Sequence, residues 1–428
     1  MDLGGIFPCS WGKLRFLLRY FVDVSPLMAD PVNLIPDRQQ FPGLANKTYF
    51  NFGGQGILPT VALEAITAMY GYLQENGPFS IAANQYIQQL IAQLRQALGE
   101  TFNVDPNTIT ITDNVTTGCD IVLWGIDWQK GDEILLTDCE HPGIIAIVQA
   151  IAARFGVTYR FFPVADTLNQ GDAAAVLVNH LGPKTRLVIL SHLLWNTGQV
   201  LPLGEIMAVC RRHQGDYPVR VLVDGAQSAG SLPLDFSRLE VDYYAFTGHK
   251  WFAGPAGVGG LYIHGDAKGT ANAARLGEIN PTYVGWRSIT YGSKGEPTGW
   301  AEGGKRFEVA TSAYPQYAGL LAALQLHQRQ GTAEERYQAI CQRSELLWQG
   351  LNQLPHVHCL ATSPPQAGLV SFTIDSPLGH RAIVQKLEEQ RIYLRTIADP
   401  DCVRACCHYI TNEEEIEHLL SRLAEFTP

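Results

Sequence analysis

No apolar run in the 428 residues reaches the ~18 that a membrane-spanning helix requires, so no helical span is expected. Basic residues are in short supply: 31 Lys and Arg against 41 Asp and Glu leave a formal net charge of −10. That balance disfavours nucleic acid or an anionic membrane as partner. It fits a soluble enzyme with a local positive pocket. CxxC pairs are missing too. The nine cysteines are an odd number, and Cys406 and Cys407 are adjacent, which disfavours a relaxed disulfide between them. The thiols read as reduced and the compartment as cytoplasmic. No metal-ligand set, internal repeat or low-complexity segment stands out. What remains is ordinary globular composition, 46% hydrophobic and 17% charged, in a chain long enough for a large core and two domains.

The first 27 residues are basic and aromatic, and Met28 offers a second start. Arg15 and Arg19 interrupt the apolar stretch and spoil it as a signal peptide. This part reads as an extension outside the fold at 1–27. A segment at 28–58 is expected to pack on the smaller domain. From 59 to 305 helical and strand patterns alternate. Strands are expected at 108–112, 133–137, 157–162, 186–191, 219–224, 242–247 and 258–263, with helical patterns between several of them. The alternation predicts a mostly parallel seven-stranded α/β sheet. From 306 to 428 the pattern predicts a smaller α+β domain. Its helices are expected at 312–330, 333–353, 379–390 and 412–425, and its strands at 368–374, 391–395 and 404–410.

Open parallel sheets bind ligands at the carboxyl ends of their strands. The polar residues just after each strand pattern are therefore the ones to weigh. TITIT leads to Thr116, Thr117 and Gly118 at a helix start, and EILLT leads to His141. RLVILS leads to Asn196, VRVLV to Asp224 and Gln227, and DYYAF to Thr247, His249 and Lys250. Each has a plain reading on its own. The threonines would cap a helix, the histidine would sit in a loop, the aspartate would be an N-cap and the lysine a surface charge. Together they supply a phosphate-binding helix start, a flat side chain, a buried acid and a lysine at one sheet edge. That set suits pyridoxal phosphate, which needs a Schiff-base lysine and an acidic partner for its pyridine nitrogen.

From about Tyr49 onward the sequence resembles the class V aminotransferase family of fold-type I pyridoxal-phosphate enzymes. Its branch with cysteine desulfurases and cysteine/cystine carbon–sulfur lyases is the nearest. The resemblance is carried, in order, by VTTG, EHPG, WNTG, VDGAQSAG, TGHKWFAGPAGVGGLY and RFEVATSA. Lys250 lies 26 positions after Asp224, as in that family. The resemblance implies roles. Lys250 would carry the cofactor, Asp224 would pair with its ring nitrogen, Gln227 with its phenolic oxygen, and His141 would stack on the ring. Thr117, Thr247 and His249 would hold the phosphate together with the backbone of Thr116 to Gly118. Asn196 would lie near the ring or the substrate. Thr311 would reach the phosphate of a neighbouring subunit, which implies a homodimer with shared sites. Arg404 would hold the substrate carboxylate.

The tail chooses among reactions. LRT (394–396) and VRACCHYIT (403–411) match the branch, but only IADPDC stands between them. The loop that carries the sulfur-accepting cysteine in desulfurases is shortened. Cys402 is the one cysteine nearby, and it reads as a bystander in a short loop. The expectation is α,β-elimination from cystine or cysteine, giving pyruvate, ammonia and cysteine persulfide or sulfide. Arg395, nine residues before Arg404, would bind a distal carboxylate or form a structural ion pair. Trp251 would line the pocket or pack behind Lys250. The alternatives are a desulfurase working through Cys402, another family member such as an epimerase, aminotransferase or selenocysteine lyase, and a non-catalytic scaffold. An iron–sulfur or other sulfur-acceptor protein is the candidate macromolecular partner.

Overall fold

The structure is a computed structural model that describes residues 34, 36–265 and 279–427. The extension at 1–27 lies outside the described residues, as do 28–33 and 35 of the segment that follows it. The short strand β1 (Thr48–Tyr49) precedes helices α1 (Thr60–Asn76) and α2 (Ile81–Phe102). The Ser80 hydroxyl caps α2 by accepting the Ala83 N–H at 3.1 Å. Ile87, Leu90, Ile91, Leu94 and Leu98 recur at helical spacing on its buried face.

Seven strands follow: β2 (Ile109–Thr112), β3 (Glu133–Thr137), β4 (Thr158–Phe162), β5 (Thr185–Ser191), β6 (Arg220–Asp224), β7 (Tyr243–Thr247) and β8 (Gly259–Ile263). They form one sheet in the order β2-β8-β7-β6-β5-β3-β4. The pairs β3–β4, β3–β5, β5–β6 and β6–β7 are parallel, while β8 runs antiparallel to both neighbours. Helices α3 (Val115–Gly125), α4 (Pro142–Phe155), α5 (Ala173–Val178), α6 (Leu203–Arg212) and α7 (Phe236–Leu239) occupy the connections. Both faces of the inner strands are covered, which is why β5 and β6 read as nearly continuous apolar runs, while the edge strand β4 is largely exposed. In β6, Val221 and Val223 pack into one core and Leu222 into the other.

A hairpin of β9 (Ile289–Tyr291) and β10 (Pro297–Trp300) comes next, then α8 (Tyr314–Arg329) and α9 (Ala333–Leu351). The rest comprises β11 (Val357–Cys359), β12 (Leu369–Ile374), α10 (His380–Glu389), β13 (Ile392–Tyr393), β14 (Arg395–Ala398), β15 (Asp401–Cys406) and α11 (Glu413–Leu423). An antiparallel sheet of order β11-β12-β15-β14 packs its own apolar core against α9, α10 and α11. β1 pairs in parallel with β13, so the N-terminal segment joins the C-terminal part.

Four details differ from the sequence reading. The strand expected at 391–395 is two strands in two sheets, because β13 pairs with β1 and β14 with β15. The strand expected at 404–410 sits earlier, over 401–406. His408 N–H donates to the Thr411 hydroxyl in a turn that ends it. β11 and the β9–β10 hairpin carried no strong pattern and went unread. Helix α8, placed by sequence with the smaller domain, buries Leu320, Leu321 and Leu324 in the core of the large sheet. Among the described residues no helix is long and apolar enough to cross a membrane.

Candidate active site

Lys250 follows β7 directly, in a turn stitched to the N-terminal segment. Gly56 N–H donates to the His249 carbonyl at 2.7 Å. A Cβ on Gly56 would collide with the Lys250 carbonyl, so only glycine permits this approach. Behind the lysine, His408 pairs with the Trp251 carbonyl at 3.0 Å and His327 with the Phe252 carbonyl at 2.8 Å. The backbone that presents Lys250 is therefore fixed from several sides. Burial pulls the ammonium pKa down to about 8, with Arg404 and Arg395 adding to the shift and Asp224 opposing it. A lysine tuned this way supplies neutral amine near neutral pH.

Asp224 is the last residue of β6 and is buried. Its Oδ1 accepts the Ala226 N–H at 2.8 Å. Burial pushes its pKa up, against the pull of the Ala226 N–H, Lys250 and His141. Such a carboxylate gains from a cationic N–H partner. Near it lies Glu140, a buried acid the sequence reading passed over. It accepts the Thr137 hydroxyl at 2.5 Å, the Ser191 N–H at 2.7 Å and the Ser191 hydroxyl at 3.0 Å. Burial raises it to about 7, and nearby Asp224 adds to that.

His141 is the N-cap of α4, its Nδ1 accepting the Gly143 N–H at 3.1 Å. Burial lowers its pKa, helped by Lys250 and Arg395, so the neutral ring carries its proton on Nε2. At the start of α3, Thr116 is exposed, Thr117 half-buried and Gly118 buried. The cap there is Asn114, not a threonine: its Oδ1 accepts the Thr117 N–H at 3.0 Å. The neighbouring strand end adds Thr247 and His249, whose hydroxyl and Nδ1 meet at 2.6 Å. Burial, then Lys250, holds His249 down to about 4. A helix N-terminus flanked by hydroxyls is an anion-binding arrangement.

Arg404 is 1% exposed on β15, a place where an unpaired cation is strongly disfavoured. Its Nη1 donates to the Trp195 carbonyl at 2.7 Å, while Nε and Nη2 are buried without a partner. Arg395 sits opposite it on β14 and is exposed. Gly53 faces the same space. A Cβ there would lie 2.8 Å from Cys406 Sγ, 2.9 Å from Gln227 Oε1 and 3.1 Å from Arg404 Nη2. Gln227 is held at both ends: Nε2 donates to the Gly53 carbonyl at 2.8 Å, and Oε1 accepts the Trp251 indole N–H at 2.9 Å.

Trp251 does not line the pocket as one expectation had it. It is fully buried and stacks on His408, so it supports Gln227 rather than touching substrate. Asn196 is buried, its Nδ2 donating to the Asp399 carbonyl at 3.2 Å. Thr311 is exposed beyond the core. Cys402 is not in a loop. It lies on β15 after a two-residue turn at Asp399 and Pro400, fully buried, with its thiol pushed up to about 11 by burial. Gly53, Asn114, Glu140 and Trp195 were missed. The glycine run NFGGQG was the one readable signal among them; the others are defined by contacts across the fold.

The donor set fits pyridoxal phosphate. A lysine whose pKa is lowered to about 8, a buried acid and a helix start beside Thr247 meet its needs separately, while the partnerless buried nitrogens on Arg404 suit the carboxylate of a substrate beside it.

Comparison with known proteins agrees with this geometry. Residues 48–419 match the class-V aminotransferase family. A solved structure of a lysine-to-alanine variant of C-DES, with glycine covalently linked to its pyridoxal-phosphate cofactor, is 92% identical. It has a TM-score of 0.89 over 92% of this chain and all of that one. A second C-DES structure holds that cystine C–S lyase with its reaction product, cysteine persulfide. It is likewise 92% identical, with TM-score 0.88 over 91% of this chain and all of that one. Isopenicillin N epimerase of Streptomyces clavuligerus is 32% identical over 55% of this chain and 56% of its own length. A cysteine desulfurase of Escherichia coli is 32% identical over 60% of each. The chain thus spans between half and two-thirds of these two relatives. With the family matched along nearly the whole described fold, the chain belongs to the class-V aminotransferases, enzymes that work with pyridoxal phosphate.

Proposed function

We propose that this protein is a pyridoxal-phosphate-dependent carbon–sulfur lyase acting on L-cystine. With water it would yield pyruvate, ammonia and cysteine persulfide; L-cysteine would yield sulfide in place of the persulfide. The observation that carries this reading is the state of Cys402. A desulfurase needs a mobile thiolate that accepts sulfur. This thiol is fully buried in a strand and held up to about 11. The 92% identity to a cystine C–S lyase supports the same conclusion.

When bound, the cofactor supplies an electron sink for charge at the substrate α-carbon. The protein supplies the rest. Arg404 offers Nε and Nη2 to the α-carboxylate, a bidentate pairing that would satisfy both buried nitrogens. Lys250 Nζ takes the α-proton, as its lowered pKa permits. Asp224 holds a protonated ring nitrogen. The His141 ring would cover one cofactor face and keep one donor, Nε2–H, since Nδ1 accepts the Gly143 N–H. Cysteine persulfide leaves readily because it is more acidic than a simple thiol. Arg395, on the strand beside Arg404 with no ion-pair partner among the described residues, suits the distal carboxylate of cystine.

A homodimer with shared sites is part of this reading. Tyr283, Val284, Trp286, Tyr291 and Trp300 are exposed in the region that leads to exposed Thr311. Their apolar area would be covered by a second copy, whose phosphate site Thr311 would complete. The released persulfide suits a thiol or iron–sulfur acceptor. The test compares pyruvate release from cystine, cysteine and cystathionine by the holoenzyme. Fastest release from cystine is expected. Exchange of α-hydrogen with deuterated solvent but no pyruvate would point to an epimerase and overturn the proposal.

A further inference from the structure

We propose that Trp195 is a positioning residue that fixes the His141 ring and the Arg404 guanidinium relative to one another. The inference rests on the lyase reading of the site. Trp195 lies half-buried in the loop after β5. Its indole Nε1 donates to the Cys139 carbonyl at 3.1 Å, in the turn that leads into His141. Its ring meets the His141 ring edge to face, with centroids 5.5 Å apart and planes at 64°. Its carbonyl accepts Arg404 Nη1 at 2.7 Å. One residue thus touches the ring-facing histidine through its side chain and the carboxylate-binding arginine through its backbone.

The next residue extends the link. The Asn196 carbonyl accepts the Ser371 hydroxyl at 2.7 Å, from the β12 residue paired with Arg404. Asn196 Nδ2 reaches the Asp399 carbonyl in the β14–β15 turn. The sheet that carries both arginines is therefore tied to the large domain at Trp195 and Asn196.

The physical consequence concerns the choice of donor nitrogens. A guanidinium on a flexible stem can present any edge. With Nη1 committed to the Trp195 carbonyl, Nε and Nη2 form the edge left for a carboxylate. Moving that carbonyl would move the indole, and the indole is anchored on the backbone beside His141. Bound substrate would then sit at one angle to the face that His141 covers. Misplacing reacting groups by about an ångström is enough to cost rate.

The test uses holoenzyme with Trp195→Ala and Trp195→Phe, read by KM and kcat for cystine and by the visible circular dichroism of the bound cofactor. Alanine removes ring and indole N–H together. It is expected to raise KM by about tenfold, the scale of one charge-assisted contact, and to change the dichroic band. Phenylalanine keeps a ring edge against His141 and loses only the bond to Cys139. It is expected to restore the band while KM stays raised a few-fold. Phe is also the variant that decides if Ala does not fold. A lower Tm with wild-type KM and dichroism in the folded variants overturns the proposal, since packing alone would explain it. If the wild type releases no pyruvate from cystine, the lyase reading fails, and the dichroic comparison still tests the link to His141.

Discussion

Burial and two arginines disfavour the charged form of Lys250, and that has two measurable consequences. The neutral amine should appear as pH rises through about 8 rather than 10.5. Covalent attachment of pyridoxal phosphate to the apoprotein should therefore speed up with a midpoint near 8, followed by visible absorbance. A midpoint near 10.5 would contradict the assignment. The folded pKa lies below the unfolded one, so the lysine opposes folding of the apoprotein below about pH 8. That penalty fades as pH climbs towards 10.5. Lys250→Met is thus expected to raise apoprotein Tm at pH 7 and to have no such effect near pH 10.5. In the holoenzyme, Lys250→Ala should lose elimination by orders of magnitude while keeping noncovalently bound cofactor. Arg404→Lys keeps the charge and loses the two-pronged contact, so KM for cystine should rise by about tenfold with a smaller change in kcat.

At the scale of elements, helix α8 carries the clearest stability forecast. Leu320 is fully buried between α8 and the turns around Gly248 and Gly254. Leu320→Ala should cost about 2–5 kcal/mol, read from chemical denaturation of the large domain. A cost near that of a surface change would mean that α8 packs elsewhere. This helix also shows where sequence pattern stopped. Apolar spacing located α8 to within two residues at its N-terminus but carried no information about which core would receive it. Most large-sheet strands were legible because they are nearly uninterrupted buried runs, as in β5 and β6; the largely exposed edge strand β4 was legible from its aromatic, β-prone TYRFF alone. In the C-terminal part β12 was legible as 368–374, but β13 and β14 were not told apart, because they are two and four residues long. Only their partners, β1 and β15, decide where one stops and the next begins.

At the scale of the whole molecule, the site draws on distant parts of the chain. The strand-end rule found Lys250, Asp224, His141 and the α3 start, since each follows a readable strand. It could not find Gly53 or Trp195, which matter through Arg404 and Gln227, far away in sequence. The same limit left Trp251 open between lining the pocket and packing behind Lys250; its full burial and its stacking on His408 favour the second. In the proposed homodimer, a second copy of the chain would complete the site through Thr311. Lys250→Ala and Thr311→Glu should each be inactive alone. Co-expressed, they should form hybrid dimers with one intact site and regain activity above either parent. Additive inactivity would remove Thr311 from a shared site.

The central claim is elimination without an acceptor thiol, and the amino-acid product tests it most directly. Wild type and Cys402→Ser would be given cystine, and pyruvate, alanine and persulfide would be counted together. Equal amounts of pyruvate and persulfide, unchanged by the substitution, are expected. With cysteine and a thiol reductant in place of cystine, alanine as the main product, lost when Cys402 is replaced, would contradict the claim.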